Sequence, residues 1–581
     1  MPPPVRLLAL LALSALLAPP PLAAAPSADA RYAALARGYF AGTFRANPVS
    51  ATAAGIHDYD TQLGRYGSAD YAAQLANDRA TLQALGAIEA QPLSARGRLD
   101  AAMLANALHD DLLLNGTMAL WRHQPDGYVQ TAANGVFLLI SRDFAPPAVR
   151  LRDAIARENA MPALFAQARA NLSAVDRDTA EIAVEDATGS VDLFATTIPQ
   201  ALAGVGDAAT QARFRASTAV AVAATRAFVS YVRTRWIAHP VGTFAIGAAN
   251  YRARLKYEEG VDLPLDAYLA IGEKALARTR AAMIASAQRI HPGASVPQVI
   301  AELSRRHPSG AQLIPAAQAD LVRLRAFVIA RHLIDLPPDA RIRVTPTPQF
   351  MRSTTEAAED SPGPLERVAK QAYYFVTPVD PHDPPAVQAQ YLASFNDFER
   401  PIVSAHEVYP GHFTNFVIDR HLPLTLSEKL LTATSFVEGW AHYDEQMVVD
   451  EGWGGGDPRV RFMQLREAIW RNARFVAGVK LHTQGMTVPQ AIRFFEAQAF
   501  LDPANARAEA KRGTQDATYG YYTLGKLEIL KLRADYRKKL GARFSLARFH
   551  HDLLQYGDPA LPLLRPLLLG KADDGKILPE L

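Results

Sequence analysis

The segment His406-Glu407-Val408-Tyr409-Pro410-Gly411-His412 places two imidazoles and a carboxylate within a few residues of one another. Imidazole nitrogens are good zinc ligands, and a carboxylate beside them can act as general base on a metal-activated water. The spacing sets a physical condition. In an unbroken α-helix a step of six residues turns the side chain through ~600°, ~240° net, and raises it ~9 Å. Zinc requires both nitrogens at about 2.0–2.1 Å, so the two can be no more than ~4 Å apart. The helix must therefore widen or break between His406 and His412. Pro410 has no N–H to return to the carbonyl of His406, and Gly411 tolerates the backbone conformations of a bulge. The expectation is a metal-binding helix with a two-residue insertion; the alternative is a pair of unrelated histidines flanking a proline kink.

A third ligand must come from elsewhere, and the sequence contains no cysteine, so it can only be His, Asp, Glu or a main-chain oxygen. Thr425 and Glu428 form a capping-box pattern from which a helix can run to about Asp450, closed by Glu451-Gly452. Glu438, His442 and Glu445 stand at i, i+4 and i+7 on one face of that helix. Glu438 is the expected third ligand of one Zn2+ per chain, with Glu445 its competitor and a fourth position left for water. His442 and Glu445 then either orient the ligands or form a surface pair. Gly439 costs roughly 1 kcal/mol of helix propensity against alanine, which close approach of two helices would explain.

The first segment resembles the metalloprotease pattern H-E-x-x-H with two residues added. Together the segments are similar to the signature of a bacterial family catalogued as domain of unknown function 885, H-E-x-x-P-G-H followed by E-G-W-A-x-Y; here these are His406 to His412 and Glu438 to Tyr443. A third stretch supports the likeness, Arg512-Gly513-Thr514-Gln515-Asp516-Ala517-Thr518-Tyr519 with Tyr522-Thr523-Leu524-Gly525-Lys526, although relatives usually have proline where Ala517 stands. The likeness covers most of the chain, with specific motifs in its last third. The family in turn resembles the helical gluzincin metallopeptidases, which include thimet oligopeptidase, angiotensin-converting enzyme and Taq-type carboxypeptidase. That resemblance implies two helical histidines, a glutamate ligand from a following helix, and a mostly helical shell around a deep cleft. Glu407 would then be the general base, and a phenol from Tyr519 or Tyr522 would stabilise the oxyanion. Arg512 is a candidate clamp for a substrate carboxylate, with a structural salt bridge as its alternative. The strand region containing Tyr374 is a candidate for pairing with an extended substrate.

The elements that must position these residues are mostly helical. Met161, Phe165, Ala168 and Leu172 recur at helical spacing on one face, with Pro162 as a helix start, and Asp266 to Ile290 reads the same way. Asp457-Pro458 caps another helix, which Gly485 stops. Short strands are expected at 341–344 and 371–376 between proline-rich turns, as a small hairpin or sheet. The chain divides by pattern into 1–25, an N-terminal helical region 26–340, and a catalytic region 341–581 with strands in 341–385 and zinc-binding helices in 396–581. Within 1–25, Arg6, the apolar run from Leu7 to Ala18 and Ala23-Ala24-Ala25 have the order of an export leader, and the run is too short to span a bilayer. A lipid-anchored cysteine is excluded by composition.

With 61 Lys+Arg against 58 Asp+Glu, the net charge of +3 gives no basic excess for nucleic acid. No G-x-S-x-G elbow is present. The expected protein is an exported zinc-dependent hydrolase of peptide or other amide bonds, periplasmic or extracellular, with no membrane span after leader removal. The alternatives are a zinc esterase or lactonase, and a non-catalytic exported metal- or ligand-binding protein. The sequence sets no oligomeric state and does not name the substrate.

Overall fold

The computed structural model describes residues 26–348, 352 and 356–579, so the leader reading of 1–25 lies outside the described residues. The architecture is mostly helical with one small three-stranded sheet, as the sequence pattern requires. Met161, Phe165, Ala168 and Leu172 are all buried. Their helix runs Pro147–Asn171, so Pro147 takes the first-turn place and Pro162 sits inside the helix, forfeiting one backbone bond to Glu158, which corrects the expected start. The Leu265–Ile290 helix matches expectation, as does Pro458–Thr483, where the Asp457 side chain accepts from the N–H of Arg459.

One expected helix is two. The capping box of Thr425 and Glu428 is present, but it starts only Leu426–Leu430; a second helix, Thr434–Asp450, begins after a break. Long-range partners hold the break open. The N–H of Ala433 donates to the carbonyl of Asp558 at 2.7 Å, and that of Ser435 to the buried carboxylate of Glu259 at 3.1 Å. Glu428 itself is drawn into a bidentate pair with Arg96. None of these partners is legible locally.

The sheet has strands β1 (Ile342–Pro346), β2 (Ala357–Asp360) and β3 (Ala372–Val376), in the order β1-β3-β2. β1 runs parallel to β3, Val344 opposite Tyr374, and β2 antiparallel to it, Glu359 opposite Tyr374. β3 is thus the central strand. The reading of the Tyr374 segment as a substrate-pairing edge is corrected: both edges of β3 are occupied, the Tyr374 ring is buried, and its hydroxyl faces Ser404 Oγ at 3.3 Å. The free edge near the site is β2.

Four buried apolar cores underlie this arrangement. One joins the Leu313–Ala330 helix, the sheet, Thr434–Asp450 and Tyr521–Leu540; another packs Leu265–Ile290 against Pro458–Thr483. Both draw residues from either side of position 340, so the division of the chain there is one of sequence pattern and not of separate cores. The Thr434–Asp450 and Tyr521–Leu540 helices cross glycine to glycine: a Cβ on Gly439 would stand 2.5 Å from Gly525 Cα. Only at such a separation do Glu438, one residue before its crossing glycine, and Tyr522, three before the other, share one cavity.

Candidate metal centre

The first imidazole sits at the end of the Arg400–Glu407 helix and the second at the start of His412–His421. Between them the backbone leaves the helical path in a tight turn. The N–H of Gly411 donates back to the carbonyl of Ala405 at 2.9 Å, and the Thr414 hydroxyl donates to that of Val408 at 2.7 Å. Gly411 is obligatory, because a Cβ there would overlap the carbonyl of His406. The turn is fastened from the second motif: Trp440 Nε1 donates to the carbonyl of Pro410 at 3.1 Å. Trp440 is fully buried, so the E-G-W-A segment both supplies Glu438 and locks the loop that brings the histidines together.

His406 Nε2 and His412 Nε2 each lie 3.4 Å from the same oxygen, Glu438 Oε2. That oxygen is buried and has no hydrogen-bond partner among the described residues. The two rings are nearly perpendicular with centroids 4.7 Å apart. Tetrahedral ligands at about 2.0–2.1 Å from zinc are separated by ~3.4 Å, so the spacing is that of a coordination edge. Among the described residues His406, His412 and Glu438 are the one set of metal-ligating side chains that converge, all three ligand atoms within 4.8 Å of one another. An orphaned carboxylate oxygen facing two imidazole nitrogens fits a divalent cation, and the all-N/O donor set with three protein ligands fits zinc with an open position.

Behind this triad stands Glu445, fully buried. Its carboxylate takes His406 Nδ1 at 2.8 Å and His442 Nδ1 at 3.0 Å, and Arg471 approaches at 3.2 Å. Holding Nδ1 leaves His406 Nε2 to point at Glu438. Glu445 is therefore placed to orient His406 and lies outside the converging set of His406, His412 and Glu438. Burial opposes its charge, but Arg471, His442 and His406 hold its carboxyl well below the usual range. Glu438 is treated alike: burial opposes ionisation, and His412 and His406 pull it well down. His442 differs, since burial pushes it down to about 3 and keeps the ring neutral. His412 Nδ1 has no hydrogen-bond partner among the described residues.

A cavity of about 420 Å³ opens in front of the triad, with Glu407, Tyr522 and Arg512 on its wall. Glu407 Oε2 accepts the N–H of Glu359 on β2 at 2.9 Å, which fixes one of its two oxygens. Tyr522 lies over His406 with ring centroids 6.4 Å apart, and burial, with Glu438 beside it, raises its phenol above the ordinary value. Arg512 Nη2 donates to Tyr521 Oη at 2.9 Å and to Tyr522 Oη at 3.3 Å, and approaches Asp516 at 3.2 Å. Tyr519 is not on the wall: it is fully buried against Gly478 and Gly513, its hydroxyl unpartnered among the described residues. Placing Tyr519 at the oxyanion is corrected accordingly, the tight glycine contacts turning its ring into the core. A larger cavity of about 560 Å³ lies among the first helices, lined by residues such as Tyr39 and Asp78 and by none of the triad, so volume alone does not locate the chemistry.

Sequence reasoning missed β2 and the arginines of the opposite wall. Ala357-Ala358-Glu359-Asp360 has neither β-branched residues nor alternation, and pairing with β3 alone makes it a strand. Arg466, Arg471 and Arg474 are spaced at five and three along the Pro458–Thr483 helix, a polar stripe that reads as an ordinary solvated face.

The family described as bacterial protein of unknown function (DUF885) matches residues 48–568. A protein described as a candidate lipoprotein of unknown function from Shewanella oneidensis has a similar solved structure, with a TM-score of 0.78 and 25% identity over 93% of this chain and 99% of that one. Another, described as a candidate lipoprotein from Colwellia psychrerythraea, gives a TM-score of 0.77 at 17% identity over 94% and 100%. The latter is a likeness of fold alone. No curated protein matches.

Proposed function

This chain belongs to the bacterial family of unknown function DUF885, and from that premise we propose that it is an exported zinc-dependent hydrolase of peptide or similar amide bonds, akin to the helical gluzincin metallopeptidases. The observation that carries the reading is the convergence of two imidazole nitrogens on one orphaned carboxylate oxygen, 3.4 Å from each, with a second carboxylate on the same cavity wall. A closed structural site would need a fourth protein ligand and would have no use for Glu407.

Zinc, when bound, supplies Lewis-acid polarisation of the acyl oxygen and a water acidic enough to ionise near neutral pH. The chain's own groups do the rest. Glu407, with one oxygen held by the β2 amide, takes a proton from the attacking water and delivers it to the leaving nitrogen. The water oxygen ends on the acyl carbon, and the C–N bond breaks. Tyr522 accepts from Arg512, so its own O–H is free to donate to the developing oxyanion. The outer edge of β2 at Ala357 and Ala358, beyond the Glu359 amide that Glu407 occupies, is the place for an extended substrate backbone.

Export is supported by the leader-like order of residues 1–25 and by the description of the similar Shewanella oneidensis structure as a candidate lipoprotein. None of the 581 residues is a cysteine, so a thioether-linked lipid has no attachment point within them. Among the described residues no helix is long and apolar enough to cross a membrane.

Glu407→Gln should bind zinc at near full stoichiometry and lose turnover by at least about 100-fold, while His412→Ala should lose the metal. Amide, peptide and ester substrates assayed with and without chelator provide the readout. Full turnover in Glu407→Gln would refute the reading.

A further inference from the structure

We propose that a second cavity, which adjoins the metal-site cavity at Glu359, takes the long cationic side chain of a substrate lysine or arginine flanking the scissile bond. This rests on the hydrolase reading above and specifies its substrate class.

The cavity holds about 330 Å³. It lies against the site, because Glu359 of β2 stands in the wall of both cavities. Phe416, in the wall of the second, stacks on the His412 ring with centroids 6.1 Å and planes 8° apart. The two rings are four residues apart in one helix and so share a face of it. Phe416, Leu424 and Pro364 give the cavity apolar sides, which suit the methylene stem of a lysine or arginine.

The acids in its wall are not equivalent. Glu428 is held by Arg96 in a bidentate pair, Asp360 is paired with Arg142, and Glu359 accepts from the Ser361 hydroxyl. Asp558 has no such partner. It is 1% exposed, its Oδ1 accepts only the neutral amide of Asn415 at 2.7 Å, and its Oδ2 has no hydrogen-bond partner among the described residues. Asp419 makes no side-chain hydrogen bond or ion pair among the described residues, and its Oδ1 is buried. Burial and the neighbouring Asp558 raise the Asp419 carboxyl well above the ordinary range, and burial lifts Asp558 to about 6. Arg420 and Lys429 also line the cavity, but neither pairs with these two acids, and Arg420 turns to the carbonyl of Lys370 at 3.5 Å. Buried carboxylates without a counter-charge are costly, and an ammonium or guanidinium brought by a substrate removes that cost. Apolar sides with unpaired carboxylates select for charge as well as length. Norleucine fills the stem space but leaves the acids unpaired, and glutamate is repelled.

The test uses N-acetylated, C-amidated hexapeptides that differ at one position, lysine, norleucine or glutamate, and so carry no terminal charge. With the zinc-loaded full chain, kcat/KM for the lysine peptide should exceed that for norleucine by about 10- to 100-fold, with glutamate lowest, and mass spectrometry should place the cut beside the lysine. Asp558→Asn and Asp419→Asn keep the shape of the side chain, and either alone should cut the preference for lysine by about 10-fold. A binding arm is independent of turnover: in metal-free protein, calorimetry should show the lysine peptide bound at least about 10-fold more tightly than the norleucine peptide. Cleavage that depends on Glu407 but treats lysine and norleucine alike, or equal binding of the two, overturns the cationic pocket and leaves the hydrolase reading standing. A preference for lysine that survives in both variants overturns the assignment to Asp419 and Asp558. A norleucine peptide with a free amino terminus that binds as tightly as the lysine peptide assigns the pocket to a terminal amine and overturns the side-chain proposal. Preferential binding of lysine with no cleavage of any acyl substrate overturns the hydrolase reading instead.

Discussion

Gly439→Ala is the substitution in which packing and chemistry can be separated. A Cβ at position 439 would stand 2.5 Å from Gly525 Cα, 2.6 Å from Gly525 C and 2.9 Å from Lys526 N, all main-chain atoms that no rotamer change can move. Ordinary carbon contacts are about 3.5–4.0 Å, so the two helices must part by roughly 1 Å. Overpacking of this kind costs about 1–3 kcal/mol, against a gain of up to ~1 kcal/mol from replacing glycine in a helix. The net expectation is a loss of about 1–2 kcal/mol, read as a lowered midpoint in denaturant. Glu438 precedes the substituted residue and moves with its helix, so zinc affinity should fall as well, and turnover by about 100-fold if the reacting groups shift by ~1 Å. Gly189 supplies the control: it lies in the Arg177–Asp192 helix with nothing within 4 Å of where an alanine methyl would stand, and Gly189→Ala should stabilise by up to ~1 kcal/mol without touching metal binding. If Gly439→Ala were as stable as wild type and held zinc equally well, the glycine crossing would not be what sets the position of Glu438.

Glu445→Gln removes the charge that holds His406 Nδ1, and zinc affinity should drop by about 10- to 100-fold with the fold retained; unchanged affinity by titration would deny the carboxylate its orienting role. Trp440→Phe leaves the Pro410 carbonyl without its indole donor and should cost about 2 kcal/mol together with zinc affinity, measured by denaturant unfolding and metal titration. Glu509→Gln leaves buried Arg474 unpaired and should cost about 3 kcal/mol near neutral pH. Burial opposes ionisation of Glu509, but Arg474 holds its carboxyl below the ordinary 4.5. The pair therefore stabilises above that value, and its contribution is lost as pH falls through the depressed folded value. The stability gap between wild type and Glu509→Gln should narrow from pH 6 to pH 3; a gap that widens would contradict the assignment.

What could be read in the sequence was set by how local its cause is. The need for a break between His406 and His412 follows from helix geometry and a zinc bond length, and Pro410-Gly411 answers it within the same segment. Gly439 likewise announced a close helix approach, though not that its counterpart is Gly525. The break at Leu431 to Ala433 was illegible because the acceptors of its Ala433 and Ser435 N–H groups come from Asp558 and Glu259, far away in the chain. β2 was illegible because β3 makes it a strand, and without β2 the natural guess was that the aromatic strand faced the substrate. Tyr519 and Tyr522 differ by three residues and are equal in sequence; the turn before the Tyr521–Leu540 helix sends one into the core and the other to the cavity.

Anomalous diffraction at the zinc absorption edge, from crystals of the full chain grown with the metal, tests the central claim. The account predicts a single strong peak about 2.0–2.1 Å from His406 Nε2 and His412 Nε2, with Glu438 as the third protein ligand and Glu445 outside bonding distance. A peak bound elsewhere, or zinc held without Glu438, would contradict it.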